Sequence, residues 1–172
     1  VLPAYRNSDI GYRLKLAQRA FVLKQGIKLA TWTFDPLQSI NAYFNIEKLG
    51  IVVREYHVNI YGASSSVLNR GFATDRFQAE WWVASPRVKK CIAGAQRKPE
   101  DIISLCGLCV SSVKVNGLMV PGPVNLKLRA PRIAVEIPSD IMKLKAKSPR
   151  LARQWRAITR KIFLHYFRQS YI

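Results

Sequence analysis

The sequence predicts an α/β fold that ends in a basic amphipathic helix. Two observations carry this prediction: helix and strand patterns alternate between residues 10 and 56, and a long amphipathic pattern begins at Ser148. Such an alternation is typical of neighbouring parallel strands with helices packed on the sheet. With 172 residues, 49% of them hydrophobic, the chain can form one domain, or one domain with an extension.

The first half of the chain alternates in type. We predict, in order, a helix, a strand, a second helix and a second strand at 10–25, 27–34, 39–49 and 51–56. Gly26 and Gly50 each follow a helix, in the position that glycine favours just past a helix end. The strands are rich in β-branched and aromatic residues, and Asp35-Pro36 ends the first of them.

Residues 61–84 complete the first region. Gly, Ser and Asn predict a loop at 61–74. A strand is predicted at 76–83, because Phe77, Ala79 and Trp81 fall on one face. We place a boundary at Ser85-Pro86, which gives regions 1–84 and 85–172, and interpret 87–101 as a linker.

The C-terminal region is predicted to contain short strands and then a helix. The strands lie within 105–137, with a turn at Asn116-Gly117. Ser148 as N-cap and proline next to it predict a helix at 149–170. Its apolar face is expected to dock on the domain and to leave Arg153, Arg156 and Arg160 in water. Membrane-surface binding and nucleic-acid binding are the alternatives for this helix.

Composition limits the partners and the compartment. The formal net charge is +18, and no acidic residue follows Asp140, which favours nucleic acid, anionic lipid or CoA phosphates as partners. The alternative is a solvated basic face without a partner. No apolar run approaches a membrane span, and no signal peptide is expected. Three cysteines suit a reducing cytoplasm. Cys106 and Cys109 are interpreted as small buried residues, and no metal is expected.

The first eleven residues are typical of a strand end and a loop that leads into a helix. The amides of a first helical turn lack partners, and the helix dipole adds positive potential at the same place. This arrangement suits a phosphate or pyrophosphate, and Arg6 and Arg13 add charge. The alternative is an ordinary turn between a strand and a helix.

The same residues resemble the acetyl-CoA loop of the GNAT acetyltransferases: Val1, Pro3, Tyr5, Arg6 and Gly11. A longer block, which includes 31–39, 80–82 and 155–156, resembles a little-characterised subfamily of predicted acetyltransferases. The resemblance implies a GNAT-like mixed sheet with flanking helices, whose earlier part would precede the chain, and an acyl-CoA-binding region at 1–84 followed by a C-terminal extension. The implied acetyl-CoA-binding residues are Tyr5, Arg6, Asn7, Ser8, Asp9, Ile10, Gly11, Tyr12, Arg13 and Asn41.

The implied activity is N-acetyl transfer from acetyl-CoA to a small-molecule or protein amine. Such transfer depends on positioning and on proton transfer rather than on a nucleophilic residue. Candidate acids are Tyr43, Tyr56 and Tyr61. Asp35 and Glu80 are candidate bases, and their structural alternatives are a turn residue and a paired strand residue.

Two positions differ from the family's pattern. Asp9 stands where the loop has glycine, so its carboxylate would repel a pyrophosphate or cap the helix. Ile46 stands where a tyrosine acid is common. These differences favour the alternative function, a non-catalytic module that binds nucleic acid or a protein through its basic C-terminal helix.

Overall fold

The computed structural model describes residues 9–62, 71–94 and 107–172 and shows a mixed α/β fold with two three-stranded sheets. The elements are, in order, α1 (Ile10–Lys24), β1 (Leu29–Phe34), α2 (Ser39–Tyr43, continued by a π-helical turn at Phe44–Lys48), β2 (Val52–His57), β3 (Arg76–Trp82), α3 (Pro86–Ile92), β4 (Gly107–Val115), β5 (Leu118–Val124), β6 (Ile133–Val135), α4 (Ile141–Lys147) and α5 (Pro149–Phe167). Within these ranges no helix is long and apolar enough to cross a bilayer. Most of the predicted loop, the linker beyond Gly94, and Cys106 lie outside the described residues.

The first sheet has the strand order β1-β3-β2, and β3 is antiparallel to both neighbours. The expected side-by-side parallel pairing of β1 and β2 is therefore wrong. Phe77, Ala79 and Trp81 of β3 are at most 6% exposed and share one face, as predicted. An apolar face determines which side of a strand is buried but not which strands lie beside it, and here β3 lies between the two strands that flank α2 along the chain.

Helices from both ends of the chain cover the apolar face of this sheet. Val22 of α1 and Val88 of α3 belong to its core, and Phe163 of α5 packs against it. The ring centre of Phe163 lies 4.7 Å from that of Phe77 and 5.9 Å from that of Tyr56. The C-terminal helix is therefore part of the packing of the first sheet.

The second sheet has the order β5-β4-β6 and forms the other core with α4 and α5. The predicted turn at Asn116-Gly117 joins β4 to β5, and both residues have positive φ, 49° and 73°. This geometry matches the right-handed twist of a two-stranded hairpin. Cys109 is 1% exposed, as expected for a small core residue, and burial raises the pKa of its thiol.

Ser85-Pro86 begins a helix, so the first part of the predicted linker is wrong. Ser85 Oγ accepts the Val88 N–H at 3.3 Å, and proline occupies the start of α3. Val88 is fully buried. It packs so closely that a Cβ at Gly50 (φ +71°) would lie 3.1 Å from the Val88 Cα. Gly50 thus allows the chain to leave the π-helical turn beneath α3.

Candidate functional site

The start of α1 is an uncapped helix N-terminus. Asp9 precedes it with φ 56°, and its side chain makes no capping hydrogen bond, although its carbonyl accepts the Arg13 N–H at 2.9 Å. The remaining first-turn amides have no partner within the helix. Gly11 leaves the backbone open, since no heavy atom of the described residues lies within 4 Å of the position a Cβ would take. The backbone here can accept an anion, and capping by Asp9 does not occupy it.

A second element brings a cation to the same place. Lys48, at the end of the π-helical turn, has its Nζ 4.0 Å from Asp9 Oδ1 and 5.7 Å from the ring centre of Tyr12. Arg13 is exposed on α1. The Asp9 side chain is 75% exposed and brings a single negative charge to this group. Tyr5, Arg6, Asn7 and Ser8 lie outside the described residues.

Tyr12 and Asn41, two of the predicted acetyl-CoA-binding residues, contact other residues of the fold. The Tyr12 hydroxyl donates to the Ile92 carbonyl at 3.4 Å, and its ring packs edge-on against Phe44. The Asn41 side-chain and main-chain oxygens accept hydrogen bonds from Asn45 Nδ2 at 3.0 and 2.8 Å. Asn45 is 2% exposed and also accepts the Trp32 indole N–H. These contacts fix α1 and α2 on the sheet.

The structure brings two of the three candidate catalytic residues together. Tyr61 and Asp35 both lie near Arg76: the Arg76 guanidinium is 5.4 Å from the Tyr61 ring centre and 3.7 Å from Asp35 Oδ2. The Tyr61 hydroxyl is 2.9 Å from Thr33 Oγ1. Tyr43 lies apart from them on α2 and is 48% exposed.

Asp35 forms a bidentate ion pair with Arg156 of α5. The Nη1–Oδ1 and Nη2–Oδ2 distances are 2.8 and 2.7 Å, and Asp35 Oδ1 also accepts the Leu37 N–H. Burial acts to lower the pKa of Arg156, but hydrogen bonds and charge from Asp35 outweigh it and raise that pKa. A carboxylate held on both oxygens by a guanidinium is a poor base, so the structural interpretation of Asp35 fits these contacts.

Asp75 and Arg160 form a second bidentate ion pair. Asp75 is fully buried and accepts from Arg160 Nε and Nη2, both at 2.8 Å, from the Tyr56 hydroxyl at 2.6 Å and from the Asn59 amide. Burial acts to raise the pKa of Asp75, but these hydrogen bonds hold it below its ordinary value. Burial, and then the bond to Asp75, raise the pKa of Tyr56. Tyr56 is thus a structural donor rather than an accessible acid.

These groups form one ion-pair cluster, which sequence reasoning missed: Asp35, Asp75, Arg76, Arg156 and Arg160. The expectation that Arg156 and Arg160 point into water is wrong, because Arg156 is 7% exposed and Arg160 binds a buried carboxylate. Two signals could have indicated it. Arg156 and Arg160 are four residues apart on one helix face. Asp35 follows β1 and Asp75 precedes β3, and the end of β1 lies beside the start of β3.

Glu80, the second candidate base, lies outside the cluster, on the face of β3 opposite Phe77, Ala79 and Trp81. Its carboxylate accepts from Arg54 and from the Trp82 indole N–H, the latter at 2.9 Å. The structural alternative for Glu80, a paired strand residue, fits these contacts.

Comparisons with known proteins place no further constraint on this site. No family model matches the chain, and no curated protein and no solved structure matches it either. A proposal for function therefore depends on the geometry above and on the sequence of the N-terminal loop.

Proposed function

We propose that this chain is a GNAT-type acyltransferase that moves an acetyl group from acetyl-CoA to an amine. The observation that carries the proposal is the start of α1, an uncapped N-terminus bordered by Arg13 and Lys48. Helix N-termini bind phosphate groups through their free amides, and nearby cations strengthen the contact. The loop before α1 has the sequence pattern of an acetyl-CoA loop.

The order of elements agrees with this proposal. After the loop, the chain forms a helix, a strand, a second helix and a second strand, and the resemblance implies this same order. We propose on this basis that the mixed α/β fold is a GNAT-like one. The proposed location is the cytoplasm. A chain with few cysteines suits this reducing compartment, and acetyl-CoA would be the acyl donor there.

The chemistry proposed for the site is direct attack of an amine on the thioester. This reaction requires the two reactants to be held in place and a proton for the leaving thiolate. Tyr43 on α2 and Tyr61 are the candidate acids that stay accessible, at 48% and 56% exposure. Asp35 is assigned a positioning role, because Arg156 holds both of its oxygens.

Calorimetric titration with acetyl-CoA tests the proposal. Arg13→Ala should weaken binding by about 1.5–3 kcal/mol, the usual worth of a hydrogen bond to a charged group. Asp9→Gly should tighten binding, because it removes a negative charge and places glycine at a positive φ without loss of a cap. Lys24→Ala is the matched control, since Lys24 is an exposed cation at the other end of α1. An Arg13 variant that binds like the parent, or a parent that does not bind, would contradict the proposal.

A further inference from the structure

Helix α5 carries two sets of cations with different environments. Arg156 and Arg160 belong to the ion-pair cluster. The second set is exposed, and we call it the basic stripe: Arg150, Arg153, Lys161 and Arg168. Successive residues of a helix are rotated by about 100°, which places these four positions on the side opposite the buried Trp155 and Ile162. The stripe extends about 27 Å along the helix axis and the turn after it.

The basic stripe has a single sign of charge. No Asp or Glu occurs after Asp140, so neither α4 nor α5 supplies an acidic partner. At its N-terminal end the stripe borders a cleft of about 410 Å³ between Phe72, α4 and α5. There Lys145 Nζ lies 4.2 Å, and the Arg153 guanidinium 5.7 Å, from the Phe72 ring centre. The cationic surface therefore continues from the helix into a concave region.

The charge and the lack of exposed apolar side chains indicate which kind of partner the stripe can bind. A helix that lies on a membrane needs exposed large apolar side chains, and the described part of the chain exposes none between 141 and 168. A second copy of α5 would meet it with like charge. A regular polyanion that offers closely spaced phosphates matches both the length and the sign of the surface.

We propose that the basic stripe binds the sugar-phosphate backbone of a nucleic acid without reading its sequence. The stripe presents no aromatic ring on which bases could stack, so contacts to phosphates are its source of affinity. This binding is separate from the proposed acyl transfer, which uses the start of α1.

The test compares two charge-reversed variants that change the net charge equally. Arg150→Glu with Lys161→Glu alters the stripe, and Lys89→Glu with Lys90→Glu alters exposed cations of α3. Arg150 lies in the first turn of α5, where an acidic residue is tolerated well. Circular dichroism checks that each variant is folded. The probes are fluorescent duplexes and single strands of about 20 nucleotides in two sequences each, measured by anisotropy over a salt series.

The parent protein and the α3 variant should each bind the two nucleotide sequences with equal affinity. This affinity should fall steeply as the salt concentration rises. The stripe variant should lose at least about tenfold in affinity, and its slope of log K against log salt should fall by about two units on duplex, near 0.9 for each lost phosphate contact. Acetyl-CoA titration should be unchanged in the stripe variant, which separates the two proposals. Equal losses in both variants, or no oligonucleotide binding at low salt, would overturn the inference.

Discussion

At the residue scale, the pairing of Asp35 with Arg156 decides how the C-terminal helix meets the first sheet. Asp35 directly follows β1, accepts the Leu37 N–H in the turn and binds both Nη atoms of the Arg156 guanidinium. The sequence supports the turn, because Asp-Pro is a local signal. It does not show the ion pair, since the two residues are 121 positions apart and only the packing of α5 brings them together.

Removal of either partner should therefore destabilise the protein strongly. We expect Asp35→Ala and Arg156→Ala each to lower the free energy of unfolding by about 3–5 kcal/mol, because each leaves a largely buried charge without its bidentate partner. Arg153→Ala, a change to an exposed arginine on the same helix, should stay within about 0.5 kcal/mol. Urea unfolding of the three variants measures these differences. An Arg156 variant as stable as the Arg153 variant would show that the pair does not hold the helix.

At the element scale, capping signals in the sequence predicted well where helices begin. The alternation of apolar residues predicted strands but not which strands pair. Ser148 accepts the Leu151 N–H and starts α5 as the sequence indicates. Ser85-Pro86 is the same signal and starts α3, but the polar residues after it favoured a linker. The apolar face of β3 was also predicted, yet its place between β1 and β2 was not. Alternation fixes which side of a strand is buried but leaves its neighbours open.

The docking of α5 gives a direct test at this scale. Trp155 is fully buried, and its indole N–H donates to the Met119 carbonyl at 2.8 Å. Trp155→Ala should lower the free energy of unfolding by about 3–5 kcal/mol, as for other large buried aromatic residues. The adjacent exposed residue supplies the control, since Gln154→Ala should change stability little. Chemical denaturation with tryptophan-independent detection, such as far-UV circular dichroism, makes this comparison. A small effect at Trp155 would mean that α5 is only loosely attached.

At the scale of the whole molecule, α5 joins the two cores. Trp155 and Ile162 lie in the core of the second sheet, while Phe163 packs on the first. The candidate anion site lies at the start of α1, and the basic stripe lies on the outer side of α5. Composition predicted an affinity for polyanions, but it could not separate these two surfaces, because net charge carries no position. The structure separates them: Lys48 lies beside the start of α1, whereas on α5 Arg156 and Arg160 pair with Asp35 and Asp75 and the exposed cations form the stripe.

The central claim is that CoA phosphates bind at the start of α1. Amide chemical-shift mapping by NMR during titration with acetyl-CoA tests it most directly, because the bound phosphates perturb the amides they contact. We expect the Ile10, Gly11 and Tyr12 amides to shift together and to saturate with one binding constant. Shifts confined to Arg150, Lys161 and their neighbours on α5, with the α1 amides unmoved, would contradict the claim and show that CoA is only another polyanion on the basic stripe.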